Sequence, residues 1–379
     1  TSKKQGSPWR SDSFVGVLVV MAVLVLYFAT DFIGLLERRF YDFSSTATAR
    51  QPSDKIAIIA IDEQSIANIG RWPWSREVHA KLIDQLAAAK VKTIAHTAFF
   101  FEPQTDRGMA YIQQIKTALA AMPPADPAAN EPLRQLVAQA ELALNTDAQL
   151  AASMARAGNV ILPSFFSLGQ PQGRADAPLP AFAQQSAIDE TLGFSEPSTS
   201  GQHAIELLGQ AAAGVGHLNQ DQDPVDGAVR REPLLVNYFG KALPSLALLA
   251  SMKSLNLGPQ DIRLDAGEEV VQLGQLKIKT DATARMLPQF YSGREGKPAF
   301  TADSFFDVLS GKIPASKYAD KIVLIGPTAT GLGVQFSAPG HAALTPVETI
   351  AHITSSILNQ HFIIEPVWAP LAAMGAFLL

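Results

Sequence analysis

Residues 56–95 read IAIIAIDEQSIANIGRWPWSREVHAKLIDQLAAAKVKTIA, and three patterns follow one another within them. Ile56 to Ile61 is an unbroken apolar run of strand length. Residues 76–90 carry Val78, Leu82, Ile83, Leu86 and Ala87 at helical spacing, and a second apolar run, residues 91–95, follows at once. Strand, helix and strand in about 40 residues predict a βαβ unit with parallel strands and a right-handed crossover. Residues 159–163 (NVILP) and 321–326 (KIVLIG) read as further buried strands. Strands that are apolar on both faces need cover on both faces, so the fold class is α/β, a mostly parallel sheet covered by helices.

Away from this centre the pattern is looser. Residues 122–132 (MPPADPAANEP) break helices, and an Ala/Leu/Gln-rich run then continues to Ala157, which predicts a helical and loop region over 104–157. Residues 169–180 (GQPQGRADAPLP) predict an exposed loop. Residues 229–239, 275–279 and 286–291 alternate as strands do, and residues 243–255 and 347–360 read as helices.

Residues 14–36, FVGVLVVMAVLVLYFATDFIGLL, contain one charged residue, Asp31. About 20 apolar residues match a hydrocarbon core of roughly 30 Å, so a transmembrane helix is expected here. The run exceeds a signal-peptide core and no A-x-A pattern follows Leu36, so the helix is expected to stay as an anchor. Lys3, Lys4 and Arg10 place residues 1–13 in the cytoplasm by the positive-inside rule, against Arg38 and Arg39 on the far flank. Residues 37–366 are then expected to form an extracytoplasmic domain. Residues 367–379, VWAPLAAMGAFLL, read as the start of a second membrane helix, with Trp368 and Pro370 suited to the interface. Membrane lipid is thus the first expected partner.

Composition removes other classes. With 30 Lys+Arg against 35 Asp+Glu the net charge is -5, so nothing gathers phosphates and nucleic acid is not an expected partner. The chain has 0 Cys, which excludes disulfides, a thiol nucleophile and thiolate metal sites. No catalytic motif appears in a fitting context, and none of the histidines, His79, His96, His217, His341 and His352 among them, shows metal-ligand spacing. Gly326-Pro327-Thr328-Ala329-Thr330-Gly331 follows a strand but lacks the ending of a phosphate loop. No catalytic residue, cofactor or metal site is assigned. The acidic stretch from Asn219 to Asp226 fails the EF-hand pattern at Pro224 and Arg230, leaving a calcium loop of another kind or a tight turn with Arg230 or Arg231 paired to an acid.

Several ordered pieces carry a family resemblance: Asp62-Glu63-x-Ser65, Gly70-Arg71-Trp72-Pro73-Trp74, Asp226-Gly227 with Arg230-Arg231, and Gly326 with Thr328. Over most of residues 42–362 the chain resembles the second type of CHASE domain, the cyclase- and histidine-kinase-associated sensory extracellular family. The resemblance implies a sensory input domain after one membrane helix, with a cytoplasmic effector. A nucleotide cyclase, adenylate or diguanylate, ranks above a histidine kinase, and the competing class is a membrane-anchored solute-binding or hydrolytic envelope protein. The chain departs from the family at Thr97, preceded by His96, where an aspartate is usual, and at Ile350, with the nearest histidine displaced to His352.

A receptor needs two states that a signal can bias, and a homodimer is expected to supply them. The helix from Phe14 should continue through Arg38 and Arg39 to Phe43, with Leu35, Leu36, Phe40 and Phe43 available for packing. If a small-molecule signal binds rather than a protein, the carboxyl edge of the sheet is where strand-end residues converge. Asp62, Glu63, Ser65, Arg76 and Thr328 are the candidates there, with Trp72 or Trp74 as a wall. Each has a second reading. Asp62 caps a turn, the tryptophans pack as structural anchors, and Arg76 joins an ion pair instead of clamping a ligand.

Overall fold

A computed structural model describes residues 12–29, 32–48, 50–121, 130–293 and 298–364. The chain divides into a compact unit, Arg50–Phe362, and a smaller one formed by residues 1–49 and 363–379.

Among the described residues, six parallel strands organise the larger unit. In chain order they are β1 (Ile56–Ile61), β2 (Thr93–His96), β3 (Val160–Leu168), β4 (Gly214–His217), β5 (Ala302–Ser304) and β6 (Ile322–Pro327). Side by side they run β5-β1-β6-β2-β3-β4. The first two strands are parallel but are not neighbours, because β6 lies between them and places Leu324 opposite Ile58 on one side and Ala95 on the other. Beyond β3 the sheet turns partly antiparallel. The outer half of β3 pairs with Glu196–Gln202, which leads to a hairpin of Leu235–Tyr238 and Lys241–Pro244.

Helices of the larger unit are best placed by the sheet face they cover. Side chains alternate along a strand, so Ile59, Ile61, Ile94, Val323 and Ile325 share one core, and Ile58, Ala95, Ile322 and Leu324 share the other. The first core is closed by the Arg76–Ala88 and Thr146–Ala157 helices through Leu82, Leu86, Leu150 and Met154. The second is closed by Leu246–Ser254 and Pro346–Asn359 through Leu248, Leu249, Ile350, Ile353 and Ile357. A sheet buried on both faces explains why β1 and β6 are continuous apolar runs. Among its described residues the 104–157 region holds three helices, Arg107–Ala121, Glu131–Leu144 and Thr146–Ala157.

In the smaller unit, helix α1 (Asp12–Ala29) precedes α2 (Phe32–Thr46). Val15, Val17, Leu18, Val19, Val20, Met21 and Val25 are all exposed, so α1 has apolar side chains on every side and no polar face among them. At 18 residues α1 is about 27 Å long, short of a hydrocarbon core of roughly 30 Å. Among the described residues no helix is long and apolar enough to cross a membrane. The expected span over 14–36 is shared between α1 and α2, with residues 30 and 31 outside the described residues. So are residues 1–11 and the second membrane helix expected over 367–379.

Candidate functional site

At the carboxyl edge of the parallel sheet a cleft of about 410 Å³ opens. Four strand ends reach it: Thr97 and Ala98 follow β2, Phe165 lies on β3, Leu218 follows β4, and Pro327 ends β6. Trp72, Phe99, Phe100, Leu332, Val334 and Phe336 complete mostly apolar walls, with Arg76 and His79 among the few polar lining groups. Phe99, Phe165 and Val334 are exposed, an arrangement that leaves aromatic and aliphatic surface facing open space.

Two histidines meet at this wall, His79 in the lining and His96 behind it. His79 lies one helical turn after Arg76, and His96 ends the buried strand β2, so helix and strand bring His96 Nε2 to 3.0 Å from His79 Nδ1. The Ala98 amide donates to His96 Nδ1 at 3.0 Å, which leaves the His96 proton on Nε2 and makes that nitrogen the donor to His79 Nδ1. His79 must then carry its own proton on Nε2. Both rings are held neutral. Burial, followed by the Arg76 charge, lowers the His96 pKa to about 3, and burial, then His96 and Arg76, holds His79 well below the usual imidazole range.

Arg76 is buried and already engaged. Its Nε donates to Asp147 Oδ1 at 3.2 Å and its Nη2 to the Glu102 carbonyl at 3.1 Å, while the guanidinium lies 4.5 Å from the Phe100 ring centroid. Burial lowers its pKa, against the hydrogen bond to Asp147. Thr97, buried beside the cleft, donates its hydroxyl to the Ile325 carbonyl at 3.2 Å. It sits so close to β6 that a Cβ at position 326 would lie 2.0 Å from its Oγ1, which is why Gly326 is required there. The cleft wall therefore carries neutral imidazoles, an ion-paired arginine and a hydroxyl already donated to backbone.

Of the candidates read from sequence, Trp72 and Arg76 line this cleft. Trp74 is buried, donates its indole N–H to the Gly70 carbonyl at 2.8 Å and packs edge-on against Trp72 at 5.2 Å. Asp62 caps the Glu63–Ile69 helix: its Oδ1 accepts from the Ser65 amide at 2.9 Å, the Ser65 hydroxyl at 2.5 Å and the Ser304 hydroxyl at 2.9 Å. Ser65 is buried in that cluster and accepts the Phe306 amide at 3.0 Å. Glu63 Oε1 accepts from the Thr330 amide at 2.9 Å and its hydroxyl at 3.1 Å, and the amide bond holds its carboxyl below the usual range. Thr328 is half-buried, its amide bonded to the Ile61 carbonyl at 3.0 Å. The side chains of Asp62, Glu63 and Ser65 thus meet one another's neighbourhood at the β1 end, not the cleft.

Sequence reasoning missed the His79–His96 pair and the walls contributed by Phe99, Phe100, Phe165 and the 332–336 segment. A lone histidine carries no signal. The pair had one, since His79 shares a helix face with Arg76 and His96 closes a buried strand at the ligand edge.

Residues 17–379 match the family model described as the CHASE2 domain. The chain belongs to the CHASE2 family. CHASE2 domains are extracellular sensory domains of signalling receptors. No curated protein and no solved structure matches the chain. Two family-linked stretches take structural duties in this CHASE2 domain. Glu348 closes a capping box by accepting the Thr345 amide at 2.9 Å, and buried His352 accepts the Tyr291 amide at 3.0 Å on Nδ1. In the acidic stretch, Arg230 pairs with Asp226 at 2.8 Å, the Gly227 amide bonds the Asp223 carbonyl at 2.8 Å, and Asn219 clasps the Phe166 backbone at 2.7 and 3.0 Å. These contacts make a tight turn with Arg230 paired to an acid, and among the described residues no group of three or more His, Asp or Glu could hold a metal ion.

Proposed function

We propose that this CHASE2 domain takes a small molecule into the cleft at the sheet edge and reports it across a membrane to a cytoplasmic effector, by family association a nucleotide cyclase of the adenylate or diguanylate type. The observation that carries the reading is the cleft itself. It is apolar, of ligand size and framed by four strand ends, the place where α/β sheets gather ligands. Membrane anchorage draws support from α1, whose exposed Val and Leu side chains suit lipid on all sides. The domain sits in the periplasm, the N-terminus in the cytoplasm, and a homodimer couples two copies through the helices that begin at Asp12 and Phe32.

With 0 Cys in the chain, single cysteines report placement cleanly. In whole cells Ser200→Cys, on an exposed strand position, should react with a membrane-impermeant maleimide, and Lys3→Cys only after lysis. The reverse pattern overturns the orientation. In the receptor joined to its effector, Ala98→Phe fills the cleft while keeping the Ala98 backbone amide, and should fix cyclic-nucleotide output regardless of signal. An unaltered response overturns the cleft as the input site.

A further inference from the structure

The groups that line the cleft also restrict what it can hold. Charge is the first criterion. Arg76 is its charged lining residue, and that cation is matched by Asp147, with both side chains about nine-tenths buried. An anion would find no unpaired cation there, and a cation would meet the guanidinium without a free carboxylate. A neutral molecule is the species that loses least on leaving water.

Directional polarity is the second. The Ala98 amide fixes the His96 tautomer, His96 fixes that of His79, and the chain of donors ends on His79 Nε2–H. His79 is 2% exposed and lines the cleft, and His96 is its hydrogen-bond partner at the opposite nitrogen. A donor that ends an oriented relay at a mostly apolar wall gains most from an acceptor brought into the cleft. The third criterion is shape. Trp72 and Phe100 stand within 5.7 and 5.5 Å of the His79 ring, centroid to centroid, and Phe165, Leu332 and Val334 lie among the other walls. Aromatic walls favour a flat apolar body.

We infer that the cleft binds a neutral, planar, apolar molecule bearing one hydrogen-bond acceptor, such as an aryl ketone, with that acceptor placed against His79 Nε2. The inference rests on the cleft being the ligand site, and it adds the chemistry of the ligand.

Three probes of matched size and shape separate the first two criteria: 2-acetylnaphthalene, which is neutral with an acceptor, 2-ethylnaphthalene, which is neutral without one, and 2-naphthoate, which is anionic. Each is measured by equilibrium dialysis against the full chain in lipid nanodiscs, with empty nanodiscs subtracting lipid partition. The wild-type chain should hold the ketone about five to ten times more tightly than the hydrocarbon, the worth of one buried hydrogen bond, and naphthoate most weakly. In His79→Phe the ketone and the hydrocarbon should bind alike. Equal binding of the two by the wild type, preference for naphthoate, or a ketone preference that survives His79→Phe overturns the inference and leaves the cleft as a site. Retention of none of the three by a folded chain overturns the cleft itself. The wild-type comparison decides even where His79→Phe fails to fold.

Discussion

Two groups of polar side chains stand at the carboxyl edge of one parallel sheet and meet different fates. At the end of β1, Asp62, Ser65 and Ser304 exchange hydrogen bonds with one another and with the Ser65 and Phe306 amides, and Glu63 serves Thr330. At the end of β2, His96 and His79 pass a hydrogen bond outward and stop at the cleft wall. A strand edge attracts polar residues for two separate reasons: to start the next helix, and to meet something from solution. What tells them apart is whether the chain consumes their hydrogen-bonding capacity, and that is a property of three dimensions.

The comparison breaks most visibly at Arg76, the residue nearest to serving both purposes. Arg76→Ala leaves Asp147 buried without its cation, and removal of one partner of a buried pair costs about 3–5 kcal/mol; urea unfolding should show a loss of that size. Arg76→Met with Asp147→Leu should recover most of it. A single variant as stable as the wild type would mean that the guanidinium is not structural and is available to a ligand.

Protonation comes next in size. The folded His96 titrates near 3 because burial disfavours its cation, while an unfolded histidine titrates near 6.5. As pH falls below about 6.5 the unfolded chain takes the proton first, so stability is fully present above that value and is lost toward pH 3. The loss is about 1.4 kcal/mol per pH unit for one such group, roughly 2 kcal/mol between pH 6.5 and 5. Glu232, away from the cleft and buried, acts in the opposite direction. Burial raises its carboxyl to about 8, so its contribution is present below about pH 4.3 and is lost as pH rises to 8. Unfolding followed against pH should show a shallower acid limb in His96→Phe and a shallower alkaline limb in Glu232→Gln. Limbs identical to the wild type would show that these groups do not titrate differently on folding.

Much of the scaffold was legible because burial on both faces writes unbroken apolar runs. Ile56–Ile61 and Ile322–Pro327 lie within a residue of where the hydrophobic pattern put them, as does the Pro346–Asn359 helix. Strand order was not, since nothing in local hydrophobicity says that β6, more than 200 residues downstream of β2, inserts between β1 and β2. For the site, the Gly70–Trp74 motif led to Trp72 and Arg76, and Asp62 carried its capping role as one of two readings. His79 and His96 are 17 positions apart and become a pair only through the packing of a helix on a strand.

Asp62→Ala tests the β1 side directly. Loss of a side-chain helix cap costs about 1–2 kcal/mol, and Asp62→Asn should lose less because it keeps an acceptor for the Ser65 amide. In both variants the binding of 2-acetylnaphthalene should be unchanged once stability is allowed for, as calorimetric titration of folded protein would show. Weakened binding in Asp62→Asn would move the ligand site toward β1 and erase the distinction between the two groups.

The smallest effect is the one that joins the two sides. Glu63 belongs to the β1 cluster, yet it holds the Thr330 amide, and the residues that follow, Leu332, Gly333 and Val334, are a wall of the cleft. Gly331 turns the chain between them with φ at +83°, a conformation that costs glycine least, so the segment's position depends on its anchors. The Glu63 carboxylate is exposed and its carboxyl titrates below the usual range through the Thr330 amide, so the contact is intact at neutral pH and is lost only on acidification. Glu63→Ala should therefore leave the unfolding midpoint where it is, while hydrogen exchange at the Thr330 amide accelerates and 2-acetylnaphthalene leaves the cleft faster. Unchanged exchange at Thr330 would show that the Pro327 end alone fixes the wall. Faster exchange with unchanged ligand release would show that the wall does not gate the cleft, and the β1 cluster would then be structural in every respect.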